Sequence, residues 1–147
     1  MSSQELARFA AELRFEQIPS DVLRRCEDLF LDTIGSIFAG STEHPVKTIE
    51  AFAIAQGPEQ GKAQILASGR FTSPLFAAMV NAAAAHMVEQ DDLHNSSVFH
   101  PACVVFPPAL AVAQSLGASG RDFLTACVVG YEVGIRVGEF LGRSHYK

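Results

Sequence analysis

From Pro74 to Ala85 the chain reads PLFAAMVNAAAA, and this run constrains the fold more than any other stretch. Ser73 and Pro74 stand where a helix begins: a hydroxyl residue at the cap, then a proline whose missing N–H costs least in the first turn. From Pro74 to Val88 every residue is apolar except Asn81 and His86. A helix apolar on all sides is buried on all sides, so this one has to sit inside other helices. Its alanines allow close approach, and each of its two polar side chains needs a partner in the interior.

The flanking segments have helical spacing too. Ser2 or Ser3 caps a first helix carrying Leu6, Phe9, Ala10 and Leu13. Ser20, with Asp21 in the first turn, opens a second, whose stripe of Val22, Cys26, Leu29, Phe30, Thr33, Ile34 and Ile37 runs to Gly40. A third starts at His44-Pro45 and stops at Gly57-Pro58. A fifth spans Pro101 to Leu116, bent or split by Pro107-Pro108, and a last one runs from about Gly120 to Leu141 behind a Ser119–Asp122 capping box. Only Lys62–Ala67 reads as a strand. Gly35 inside the second helix predicts close approach of a neighbour. Gly130, Gly134 and Gly138, four apart, predict a groove that another helix can enter. Phe30, Phe38, Phe52, Phe76 and Phe106 are expected in the core. The expected fold is all-α: an Ala- and Gly-rich helical bundle without internal repeats or linkers.

Charge narrows the function classes. Net charge is −5 with no Lys/Arg cluster, which argues against nucleic acid as a partner. No run reaches the ~20 apolar residues of a membrane helix, and Met1–Glu12 has no signal-peptide pattern. A soluble cytoplasmic protein is expected, with Cys26, Cys103 and Cys127 as buried free thiols. Only 18% of residues are charged, against about 25% ordinarily. Some apolar surface is therefore expected to meet a partner or a further segment.

Ionisable groups concentrate in one place, His86–Pro101, reading HMVEQDDLHNSSVFHP. If the preceding helix persists to Asp92, Glu89 and Asp92 share a face and repel. His94 and His100 suit proton transfer near neutral pH, and Asn95, Ser96 and Ser97 offer hydrogen bonds to a polar ligand. Three readings stay open on the residues alone: a metal site using His86, Asp91 or Asp92, His94 and His100, a spacing that matches no metal signature; helix-capping acids with structural histidines; or an acid/base or anion-binding site.

The chain also resembles the amino-terminal part of the MmgE/PrpD family, which includes 2-methylcitrate dehydratase and cis-aconitate decarboxylase. The resemblance lies in FEQIPSDVLRRCEDLFLDTIGSIFAG (Phe15–Gly40), AAMVNAAAAHMVEQDDLH (Ala77–His94), the long segment from His100 to Gly138 ending GYEVGIRVG, and GRSHY (Gly142–Tyr146). It implies a large helical domain, of which residues 1–147 are a part, an additional α+β domain, homodimers, and lyase chemistry on small di- or tricarboxylic acids with no metal and no cofactor. Carried over by motif, His100, Asp91, Asp92 and His94 are the implied catalytic residues, and Glu89 and Ser97 the implied substrate contacts. Leu93 departs from the Thr of some members. Family members are considerably longer, with a second active-site histidine and basic residues downstream. The resemblance thus implies a chain inactive by itself. The alternative is a non-catalytic helical module that oligomerises through the Gly130–Gly138 face.

Overall fold

The computed structural model describes residues 2–143, which form six helices and one short hairpin. The helices are α1 (Ser3–Glu12), α2 (Ser20–Gly40), α3 (His44–Gln56), α4 (Pro74–Met87), α5 (Pro101–Leu116) and α6 (Gly120–Leu141). A single 3-10 turn, Phe15–Gln17, joins α1 to α2. The fold is mainly α, as the sequence predicts. The extended segment narrows to β1 (Ala63–Ile65) and pairs antiparallel with a second strand, β2 (Arg70–Thr72), with Ala63 opposite Thr72 and Ile65 opposite Arg70. The second strand escaped the sequence reading because three residues are too few to show alternation. Among the described residues, no helix is long and apolar enough to cross a membrane.

The helix ends follow local chemistry. Ser2 and Glu5 close a reciprocal capping box at α1, and Ser119 and Asp122 close another at α6. Pro19, not Ser20, occupies the cap position of α2, so Ser20 is already helical. α5 runs unbroken through Pro107 and Pro108.

α4 lies at the centre, in contact with α2, α3, α5 and β1. Ala77, Val80, Asn81, Ala84 and Ala85 are buried, but Leu75 is 70% exposed, so the enclosure is incomplete at the first turn. Asn81 finds its interior partners in the hairpin. Its Oδ1 accepts from Leu66 N at 3.0 Å and its Nδ2 donates to Gln64 O at 2.9 Å. The close approach of α2 to α4 occurs at Gly40, where a Cβ would run into the Ala84 carbonyl; at Gly35 there is open space.

Two apolar clusters form the core. One surrounds α4, with Ile37, Val46, Ile65, Val80 and Cys103. The other joins α2, α5 and α6 through Cys26, Val105, Phe106, Phe123 and Cys127. Phe30 stands edge-on to Phe123 with ring centroids 4.9 Å apart, and Phe106 packs on both Phe30 and Tyr131 at 5.4 Å. Phe38 and Phe52, expected inside, are 53% and 55% exposed. Both stay half-exposed on α2 and α3, and the Phe52 ring meets Phe76 of α4 edge-on with centroids 6.2 Å apart.

The glycine row of α6 is filled from within the chain. A Cβ at Gly130 would lie 2.6 Å from Val105 Cγ1, one at Gly134 2.7 Å from the Phe99 ring, and one at Gly138 2.5 Å from Ser97 Cβ. The groove read from the sequence exists, but α5 and the segment before it occupy it, and no second chain is needed to explain it.

Candidate active site

α4 ends at Met87, and Glu89 then takes a positive φ of 50°. The helix therefore does not reach Asp92, and Glu89 and Asp92 do not share a helical face. The acidic segment instead crosses from the end of α4 to the start of α5, between the two apolar clusters. Glu89 and His86 are on the exposed side of this crossing, and Asp91 and Ser97 are buried.

Asp91 is the hub. Its side chain is wholly buried, and its carboxylate accepts from His86 Nδ1 at 3.0 Å (Oδ2) and 3.2 Å (Oδ1). His100 Nδ1 lies 3.4 Å from the same Oδ2. That approach is off the line a hydrogen bond needs, so this buried nitrogen has no hydrogen-bond partner among the described residues. The two imidazoles meet edge to face, centroids 4.9 Å apart. Half of the His86 side chain and a third of that of His100 remain exposed.

Cys103, one turn into α5, completes the group. Its Sγ donates to His100 O at 3.4 Å. Burial, then a hydrogen bond to Asp91 and the charges of Asp91 and Asp92, push the thiol up to about 12. His86, Asp91 and Cys103 bring a nitrogen, an oxygen and a sulfur within 4.8 Å of one another, a set of metal-ligating type. A metal ion there would have to displace a tightly held thiol proton and the His86–Asp91 hydrogen bond. Here His86 donates to Asp91, and the Cys103 thiol donates to the His100 carbonyl beside the same carboxylate.

Asp92 faces the other way. Its Oδ1 accepts from Ala102 N at 2.8 Å, placing a carboxylate at the positive end of α5, where Pro101 has no N–H to offer. Its Oδ2 accepts from Tyr131 Oη at 2.9 Å. Burial, reinforced by the charge of Asp92, pushes the Tyr131 phenol up from its ordinary value.

His94 and Ser97 build the loop that precedes His100. His94 N donates to Phe99 O at 2.8 Å and Phe99 N to His94 O at 3.3 Å, closing residues 94–99. Ser97 Oγ is 2.9 Å from His94 Nδ1 and donates to His94 O at 3.3 Å. Val98 sits at φ 48°, a left-handed conformation costly for a β-branched residue. The closed loop is seated on the α6 glycines through Phe99 and Ser97.

The sequence-derived residues thus separate into groups. Asp91 and His100 come together, joined by His86 and Cys103. Asp92 is committed to α5 and α6, and His94 and Ser97 to each other. Glu89 is exposed alongside. Tyr131 carried no signal of its own outside the GYEVG resemblance; His86 had one, as the lone ionisable residue in an apolar helix. No Lys or Arg among the described residues is paired with any of these groups; Arg136 is paired with Glu132. The group lies on an open face. A cleft of about 350 Å³ between α2 and α6 is lined by Arg25, Cys26, Leu29 and Tyr131, and a second hollow, lined by Phe99, Val104 and Gly134, lies beside the loop that leads to His100.

Comparison with known proteins bears on this arrangement. Cis-aconitate decarboxylase-like protein oryM of Aspergillus oryzae is 38% identical over 141 residues, covering 91% of this chain and 29% of the relative. Cis-aconitate decarboxylase of Aspergillus terreus is 32% identical over 143 residues, covering 93% and 29%. The human cis-aconitate decarboxylase is 30% identical over 138 residues, covering 87% and 27%. The chain therefore spans less than a third of the length of these curated relatives. The MmgE/PrpD N-terminal domain matches residues 4–147, from the first turn of α1 to beyond α6, and the chain belongs to the MmgE/PrpD family.

Proposed function

We propose that this chain forms one wall of a lyase active site for a small di- or tricarboxylic acid, with His100 as the proton-transfer group. The carrying observation is His100 itself: Nδ1 is turned inward beside the buried Asp91 carboxylate while a third of the side chain stays open to a ligand. The relatives' names supply the reaction class, loss of carbon dioxide from a tricarboxylate. In a decarboxylation, His100 returns a proton to the carbon that carbon dioxide leaves. In a dehydration of the 2-methylcitrate dehydratase kind, it removes the proton next to a carboxylate as water departs. Glu89 contacts the substrate from the exposed side, and Asp91, Asp92, His94 and Ser97 hold His100 and its loop in place.

A tricarboxylate needs cations, and among the described residues the acid- and histidine-rich group is paired with no Lys or Arg. We therefore expect the purified chain to bind such acids without turning them over. Citrate and cis-aconitate should raise its thermal midpoint, because a ligand that binds only the native state stabilises it, and His100→Ala should remove the rise. Absence of stabilisation by any di- or tricarboxylate overturns the substrate class. Turnover by the chain alone, abolished in His100→Ala, overturns the claim that it is a single wall.

A further inference from the structure

The His86–Asp91–His100 geometry poses a question that the proton-transfer role of His100 leaves open. One buried carboxylate lies between two imidazoles, and both turn Nδ1 toward it. His86 has the aligned hydrogen bond, 3.0 Å to Oδ2, and takes Oδ1 at 3.2 Å as well. His100, 3.4 Å from Oδ2, is left with a buried Nδ1 that nothing among the described residues satisfies. A buried unpaired nitrogen next to an acceptor is costly, and because His86 holds both carboxylate oxygens, turning Oδ2 onto His100 takes the shorter of its two contacts and leaves it the longer one to Oδ1. Among the described residues no third group relieves the competition. The nearest thiol, Cys103, also directs its interactions to Asp91 and to the His100 carbonyl, and Asp92 is occupied by Ala102 N and Tyr131.

We propose that His86 and His100 compete for Asp91, and that His86 is a positioning residue which sets how far His100 is oriented by the carboxylate. While His86 holds Asp91, His100 has no fixed tautomer. When His86 lets go, Asp91 accepts from His100 Nδ1–H and leaves Nε2 as the proton acceptor on the open side, as a carboxylate does for a histidine base. The unequal exposure of the rings suits this division. His86, at the exposed end of α4, can swing into solvent, whereas the N-cap position of His100 ties its backbone to α5. This inference rests on the reading of His100 as the proton-transfer group, but its test needs no substrate.

The test is nitrogen-detected NMR of the histidine side chains in the full 147-residue chain, which reports which ring nitrogen carries the proton. In the parent, His86 should carry its proton on Nδ1, and His100 should show averaged tautomers. His86→Phe keeps the edge-to-face ring contact and deletes the donor. In that variant His100 should move to a majority Nδ1–H form with a slowly exchanging proton. Adding Asp91→Ala to His86→Phe removes the acceptor and should return His100 to averaged tautomers. His86→Ala serves as a second donor deletion if the aromatic ring disturbs packing. Unchanged His100 nitrogen shifts in both single variants would overturn the competition. So would a shift that survives Asp91→Ala, since the ring and not the carboxylate would then be responsible. A failed carboxylic-acid binding assay with the expected NMR result would sink the substrate class and leave this inference standing.

Discussion

Tyr131 donates its hydroxyl to Asp92 Oδ2 at 2.9 Å, and that bond fixes the middle of α6 to the start of α5. The same carboxylate holds Ala102 N through its other oxygen. Asp92 is therefore a bridge with two loads, a helix cap and a tertiary tie. Tyr131→Phe removes only the tie and should cost about 1 kcal/mol. Asp92→Ala removes both and exposes the N-terminus of α5, so it should cost more, about 2–4 kcal/mol with the cap included. Urea denaturation of both single variants and the double variant measures the difference. The double-mutant coupling should be about 0.5–3 kcal/mol; additive effects would mean that the bond carries no net stability.

The glycines of the chain should respond to alanine in opposite directions. At Gly35 a Cβ meets nothing within 4 Å, so Gly35→Ala should stabilise the chain by about 0.5–1 kcal/mol through helix propensity. At Gly138 a Cβ would lie 2.5 Å from Ser97 Cβ and 3.1 Å from its carbonyl oxygen. Ser97 is buried and bonded to His94, so it cannot yield, and Gly138→Ala should cost about 1–3 kcal/mol. At Gly134 the neighbour is the Phe99 ring, at 2.7 Å. A ring can turn, so Gly134→Ala should cost less than Gly138→Ala. Thermal midpoints of the three variants test the order; a stabilised Gly138→Ala would show that the loop does not rest on α6.

Asn81 was legible in the sequence as a polar residue in need of a partner, and the hairpin supplies it twice, through Leu66 N and Gln64 O. Asn81→Leu leaves both backbone groups buried without a partner and should cost about 1–3 kcal/mol for each. Hydrogen exchange at Leu66 N should accelerate along with the loss. Unchanged protection at Leu66 would mean that the hairpin is held by other contacts.

What could be read from the sequence followed from periodicity and capping. The apolar run of α4, the Ser2 and Ser119 caps and the proline-opened starts of α3, α4 and α5 are local chemistry, and local chemistry determined these elements. The site was legible as a location and not as an arrangement. Nothing in the order of Asp91 and Asp92 says that one faces inward to two histidines while its neighbour caps a helix. That division depends on where α4 stops, and Glu89 at positive φ sets the turn after the helix end. The glycine row of α6 shows the same limit. Spacing indicates that something packs closely there, but only the tertiary fold identifies it as Phe99, Ser97 and Val105.

Alkaline pH should weaken the fold. Three buried acids hold their protons beyond their ordinary values. Burial and then Asp91 push Cys103 up to about 12. Hydrogen bonding to Cys26 and then burial raise Cys127, but the same bond lowers Cys26, so this thiol pair offsets itself; burial and then Asp92 raise Tyr131. In the unfolded chain the thiols ionise at their ordinary 9.0 and the phenol at 10.0. A raised folded value means that the contribution is complete below the unfolded value and is lost as pH climbs toward the folded one. From about pH 9 upward the unfolded state has released protons that the folded state still binds, so stability falls with pH, by up to about 1.4 kcal/mol per pH unit for each such proton. Urea midpoints measured from about pH 8 to about pH 11 should decline, and Cys103→Ala should make the decline shallower by one proton's share. An equal slope in parent and variant would show that the Cys103 thiol is not held by Asp91, and would also weaken the account of Asp91 as the hub of the site.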